Sequence, residues 1–196
     1  QKLSKNGTLI CFDKDEEALE ISKQRLEKFD CKKIFVHSDF HNYKKVLFEI
    51  GISKVDGVLI DLGVSSYQLD CAERGFSYMQ NAKLDMRMDK SAKLSAYDVV
   101  NAYSCQNLTK VLFDYGEEPF TKNIVRNIIK QREIKPIETT SELVEIINSS
   151  VPAKVRIDKS SLKRVFQAIR IEVNGELFGL EETLHFLIDH LKPDGV

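Results

Sequence analysis

The chain has 196 residues, 42% apolar and 30% charged, enough to bury a core in one domain or in a domain carrying a sizeable insertion. With 29 Lys and Arg against 30 Asp and Glu the formal charge is −1, so the total singles out no polyanion partner, and no run of about 18 apolar residues is present to span a bilayer. Cys11, Cys31, Cys71 and Cys105 stand far apart, with no CxxC pair and no signal peptide, which predicts reduced thiols in a cytoplasmic protein.

The first third alternates apolar runs with charged helical segments. TLICFD (Thr8 to Asp13) reads as a buried strand stopped by an acid, and EEALEISKQRLEKF (Glu16 to Phe29) as an amphipathic helix. KKIFVHSDF predicts a second strand, YKKVLFEIGI a short helix, and VDGVLIDLG (Val55 to Gly63) a third strand, apolar on both faces. Strands alternating with helices predict a parallel, doubly wound α/β sheet, whose right-handed crossovers bring Asp13, Asp39 or Phe40, and Asp61 to one ligand-binding edge.

From about Ala92 to Ser160 the pattern turns wholly helical, broken at Gly116, Pro119, Pro136 and Pro152, and predicts an all-helical insertion. The expected division is therefore 1–90 and 162–196 for the α/β core and 91–161 for the insertion. Between Thr121 and Arg170 eleven basic residues face five acidic ones, an excess that fits either a solvated helix face or a nucleic-acid surface. A long helical pattern resumes near Leu162, with a bend expected at Gly175 or Gly179, and ends at a KPDG turn before Val196.

Two readings of Asp13 stand open: an acceptor for the ribose hydroxyls of a nucleotide-like cofactor, or a cap for the helix that follows, since Asp13-x-x-Glu16 resembles a capping box. A glycine-rich turn upstream of the acid, usual for such a site, is not found in the twelve residues before it. His37 and His41 lack a third ligand nearby, so no metal is expected. Beyond Asp61 the chain runs DLGVSSYQLDCAERGFSYMQNAKLDMRMD, too dense in polar groups for a strand or a surface helix. It brings Ser65 and Ser66, Gln68, Asp70, Arg74 and Arg87 toward the ligand edge. Met79, Met86 and Met88 are candidates for an apolar floor or for gap-filling packing.

This stretch closely resembles the family of S-adenosylmethionine-dependent methyltransferases that modify the N4 amino group of a cytidine in small-subunit (16S) ribosomal RNA, the MraW or RsmH family. The resemblance extends through YGEE (Tyr115 to Glu118), FQAIRIEVNGEL (Phe166 to Leu177) and LKPDGV, and covers essentially the whole chain. It implies a Rossmann-like methyltransferase parallel sheet, here incomplete, with the insertion as an RNA-recognition domain. The family's first strand with its Gly-Gly-His loop and its Ser-Phe-His-Ser-Leu-Glu-Asp stretch are not matched, so the chain is expected to be an internal piece that by itself binds cofactor weakly or not at all. Tyr67 stands where proline is usual and Cys71 where an acid is common.

By this resemblance Asp13 holds the ribose of S-adenosyl-L-methionine, Phe40 lies against its adenine, and Asp61 and Gln68 complete the pocket. Asp61 is also the first candidate to accept the amine proton, with Ser65 and Ser66 as orienting partners. Arg74, Arg87, Arg156, Lys163 and Arg164 are the candidate RNA-binding cations. The implied partner is small-subunit ribosomal RNA or the assembling subunit, with no membrane role and with a homodimer left open. A Rossmann-fold enzyme acting on another substrate and a non-catalytic ribosome-assembly module are the competing readings.

Overall fold

In the computed structural model, which describes residues 3–196, the two β-rich runs form the ladder that their composition predicts. β1 (Thr8–Asp13) and β2 (Lys32–His37) pair in parallel, in register from Thr8 opposite Lys32 to Asp13 opposite His37. The crossover is α1 (Glu16–Leu26), capped by Asp15, whose side chain accepts the Glu17 N–H; acids fill its first turn and Lys23 and Arg25 its last, as the helix dipole favours. A single 3-10 turn, Phe40–Asn42, leads into α2 (Tyr43–Glu49), which buries Tyr43 and Leu47.

The predicted third strand is corrected by the structure. Val55 to Gly63 contains one parallel bridge, Val55 to Leu191, and no ladder. Its backbone is partly held by the chain's last turn, where the Val58 N–H donates to the Val196 carbonyl at 2.7 Å and the Lys192 N–H to the Val55 carbonyl at 2.9 Å. A doubly buried strand needs neighbours to satisfy its backbone on both sides. Among the described residues only β1 and β2 form a sheet, and Leu59 is left 94% exposed.

The chain divides into two compact units, one running through Asp61 and including 88–90 and 178–196, the other 62–87 and 91–177. The second is helical. It begins with α3 (Ser66–Asp70) and continues through α4 (Ala96–Ala102), α5 (Cys105–Asp114), α6 (Thr121–Ile134), α7 (Thr140–Ser150), α8 (Ala153–Asp158) and α9 (Ser160–Asn174). Ser65, Ser95 and Thr139 each open a helix with a reciprocal capping box, to Gln68, Asp98 and Glu142. The core of this unit is α9: Leu162, Val165, Phe166 and Ile169 are buried, each stabilising by about 1.5–3 kcal/mol, and α9 packs on α4, α5, α7 and α8. Arg132 on α6 donates to the carbonyls of Val100 and Tyr103 at 2.8 and 2.7 Å, fastening the C-terminal end of α4. The expected division at 161/162 thus falls within a single unit, because the apolar face of α9 is covered by the insertion's helices.

The long helix expected from Leu162 onward is two helices, α9 and α10 (Leu180–His190), separated by Gly175 and Gly179, both left-handed at φ 58° and 66°. α10 belongs to the first unit. No helix among the described residues is long and apolar enough to cross a membrane.

Candidate functional site

In the first unit the parallel register carries Asp13 and His37 to the same sheet edge. Asp13 is not the helix cap, which is Asp15; instead its Oδ1 accepts the Asp15 N–H at 2.8 Å. Burial pushes the Asp13 carboxyl above its ordinary value, outweighing the amide of Asp15 that favours the anion. The neighbouring strand end holds a network that the sequence does not announce. Asp39 accepts the His41 N–H at 2.9 Å, pairs with the His41 ring through Nδ1, and forms an ion pair with Lys14. Burial raises the Asp39 carboxyl, but the His41 amide and the Lys14 ammonium prevail and hold it below the usual range. Phe40 stacks on the His41 ring, centroids 4.2 Å apart at 26°. His41 Nε2 is buried with no hydrogen-bond partner among the described residues. A half-buried carboxyl and an aromatic ring at one strand edge suit the ribose and base of a nucleoside. Asp61 ends the extended segment of this same unit and is exposed.

In the helical unit Ser65 and Gln68 are brought together by their capping box: the Gln68 N–H donates to Ser65 Oγ at 3.2 Å and the Ser65 N–H to Gln68 Oε1 at 3.0 Å. Gln68 is buried and Ser66, the first helical residue, is exposed. Arg74 and Arg87, expected among the RNA-binding cations, are structural instead. Arg74 is 4% exposed and donates to the Arg87 carbonyl at 3.0 Å. Arg87 forks onto both Asp85 oxygens at 2.9 and 2.7 Å and donates to the Ala92 carbonyl. Between them Met86 is fully buried at φ 58°, its carbonyl accepting from Asn174 on α9. Met86 and Met88 are therefore packing, whereas Met79 is exposed.

Arg156, Lys163 and Arg164 share the corner where α8 meets α9, and all three are exposed. Near it lies the last residue of YGEE, to which the sequence assigns no role. Glu118 is 1% exposed; its Oε1 accepts the Phe120 N–H at 2.9 Å and the Ser161 hydroxyl at 3.0 Å, and its Oε2 is buried without a partner among the described residues. An acid in a loop reads as solvated, so composition offers no signal for this. A hollow of about 270 Å³ lined by Asn127, Lys130, Gln131, Ile134, Ile146 and Ser149 contains none of the expected site residues.

A parallel strand edge ending in Asp13 and His37, with Asp39 just beyond it, in a chain that also carries a separate helical unit, fits one class: an incomplete Rossmann-like methyltransferase fold. The chain belongs to the MraW methylase family, whose model matches residues 1–196. It is 54% identical over 192 residues to a ribosomal RNA small subunit methyltransferase H from Finegoldia magna, covering 97% of this chain and 62% of that protein. Against the protein of that name from Clostridioides difficile the identity is 54% over 178 residues, 90% and 57% of the two chains. A relative of the same name from Clostridium botulinum is 50% identical over 195 residues, 100% and 63% of the two chains. The chain thus spans about three-fifths of the length of the curated relatives it matches.

Proposed function

We propose that the chain provides cofactor-holding and RNA-facing parts of an S-adenosylmethionine-dependent enzyme that methylates the N4 amino group of a cytidine in small-subunit ribosomal RNA. The observation that carries this reading is the half-buried carboxyl of Asp13 at the end of the parallel ladder, in a chain about half identical to proteins named for ribosomal RNA methylation. The four cysteines form no disulfide among the described residues, and a cytoplasmic setting, where thiols stay reduced, is part of the proposal.

Asp13 accepts the ribose hydroxyls and Phe40 packs on the adenine. S-adenosylmethionine supplies, when bound, an electrophilic methyl group on a sulfonium. The exocyclic amine of cytosine is a poor nucleophile because its lone pair is delocalised into the ring. The protein's task is then to position that amine in line and accept its proton as positive charge develops. Asp61, exposed and ionisable at the end of its segment, is the proposed acceptor. Ser65 Oγ already accepts the Gln68 N–H, which leaves the exposed Ser66 hydroxyl as the candidate of the two to orient the amine. Unstacking the target base costs roughly a few kcal/mol, less in an unpaired loop, and Arg156, Lys163 and Arg164 offset it by holding phosphates.

The test is transfer of label from S-adenosylmethionine to small-subunit particles lacking the modification, with this chain compared against one of the relatives' full length. Label on a cytidine N4 from the longer chain is the expected result, and Asp61→Ala in it is expected to lower the rate by about 100-fold. No transfer to a competent substrate by the longer chain would overturn the proposal. RNA binding that is indifferent to S-adenosylmethionine would then favour a non-catalytic assembly module.

A further inference from the structure

Between Val151 and Arg164 the chain carries five cations, Lys154, Arg156, Lys159, Lys163 and Arg164, and a single acid, Asp158. All five are exposed, and none forms an ion pair among the described residues. Some surface lysines elsewhere do pair, Lys135 with Glu142, Lys90 with Glu17 and Lys192 with Asp56. An unneutralised cluster in a protein of net charge −1 has self-repulsion that a polyanion would relieve.

The backbone gathers these cations at a corner. α8 is a six-residue helix that ends at Lys159, left-handed at φ 57°, and the chain turns there directly into α9. The same corner exposes apolar side chains. Ile157 on α8 is 84% exposed, and Met79 is 65% exposed with its sulfur 3.7 Å from Lys159 Nζ. Duplex RNA presents sugars, hydroxyls and phosphates to such a surface, with its base faces stacked inside, whereas an unpaired strand also offers open base faces. Cations interleaved with exposed apolar groups therefore match an unpaired strand: phosphates on the Lys and Arg residues, and base faces in apolar contact with Met79 and Ile157 in place of the aromatic stacking found in other single-strand sites.

We propose that the α8–α9 corner, with Met79 beside it, is a binding site for an unpaired RNA segment. This deepens the RNA reading above and rests on it. The corner selects the strand state of the substrate, and Met79 and Ile157 are the residues that distinguish single strand from duplex.

The test measures binding of the chain to a labelled unpaired oligoribonucleotide and to a hairpin duplex of equal length, by fluorescence anisotropy over a salt series. The unpaired RNA is expected to bind at least about tenfold tighter. Replacing Lys154, Arg156, Lys159, Lys163 and Arg164 by Ala should flatten the log–log salt slope by about 0.7 for each phosphate no longer neutralised. The double change Met79→Ser with Ile157→Ser should keep that slope and abolish the preference for unpaired RNA. Every altered side chain is exposed, and circular dichroism should show the folded spectrum throughout. Wild-type RNA binding that the five-cation variant retains with unchanged affinity and slope overturns this site and leaves the RNA reading standing. Duplex preference in the wild type, or strand preference that survives the double change, overturns the discrimination by Met79 and Ile157. Absence of any RNA binding by the wild type overturns the site together with the reading beneath it.

Discussion

Asp13 serves two partners, one present in the fold and one proposed. Asp13→Asn keeps an oxygen for the Asp15 N–H and removes the anion. The expected result is a 10- to 100-fold loss of S-adenosylmethionine affinity by calorimetry, in a protein that binds it, from losing a charged hydrogen bond worth about 1.5–3 kcal/mol. An unchanged affinity would remove Asp13 from the cofactor's partners. Because burial raises the Asp13 carboxyl, the unfolded chain releases this proton first as pH rises. Between the unfolded and folded values the group therefore lowers stability with increasing pH. Glu142 behaves oppositely. The Glu138 amide and the Lys135 ammonium pull it down from 4.5 to about 2, so its stabilising effect is present above 4.5 and is lost as pH falls toward 2. Urea unfolding of wild type and Glu142→Gln should show a gap at pH 5 that narrows at pH 3; a constant gap would refute this. For Glu118→Ala, which strands the Phe120 N–H and the Ser161 hydroxyl in a buried place, a loss of about 2–4 kcal/mol is expected in the same assay. At this scale the sequence was informative where a residue sits at an element's end, as with Asp13. It misled at Arg74 and Arg87, because charge alone does not reveal that a guanidinium faces backbone carbonyls within a loop.

Among the elements, α9 depends on close approach by the loop before α6. A methyl group added at Gly116 would stand 2.8 Å from the carbonyl oxygens of both Leu112 and Arg164. Gly116→Ala is expected to cost about 1–3 kcal/mol through this overpacking, read as a lowered thermal midpoint; a wild-type midpoint would mean that the two helices separate freely there. Ser95 and Thr139 stand three residues before Asp98 and Glu142, a spacing that marks the starts of α4 and α7, whereas Ser65 and Gln68 cap a helix in a stretch whose polar density argued against one. Two boundaries were not legible. α8, only six residues long, is too short to show a period, and two glycines rather than one divide α9 from α10. The third strand failed for a different reason: VDGVLIDLG has strand composition, but a strand is a property of a pair, and pairing is non-local.

For the whole molecule, the two units have unequal means of protecting their amides. The helical unit buries a continuous set that includes Leu108, Leu112, Ile124, Ile128, Leu143, Ile147 and Ile169, whereas the other relies on a two-stranded sheet flanked by short helices. Hydrogen exchange should accordingly be slowest in α5, α6 and α9, while amides from Leu59 to Leu62 exchange near the free-peptide rate. Strong protection over Leu59 to Leu62 would contradict the exposed backbone seen there. The alternation of strands and helices made the class legible, while the change to helices after Ala92 falls inside the second unit, which begins at Leu62. Its boundary was hidden because α9 continues the family motif of the core while burying its apolar face among the inserted helices.

The segment that failed to become a strand has a practical consequence. Val58, Leu59 and Leu62 leave apolar side chains in water, beside backbone groups that no sheet ladder occupies. Such a stretch is a template onto which another copy can add, edge to edge. At millimolar concentration the polypeptide should form assemblies that grow with concentration and dissolve on dilution, and Leu59→Lys should act as a gatekeeper against them.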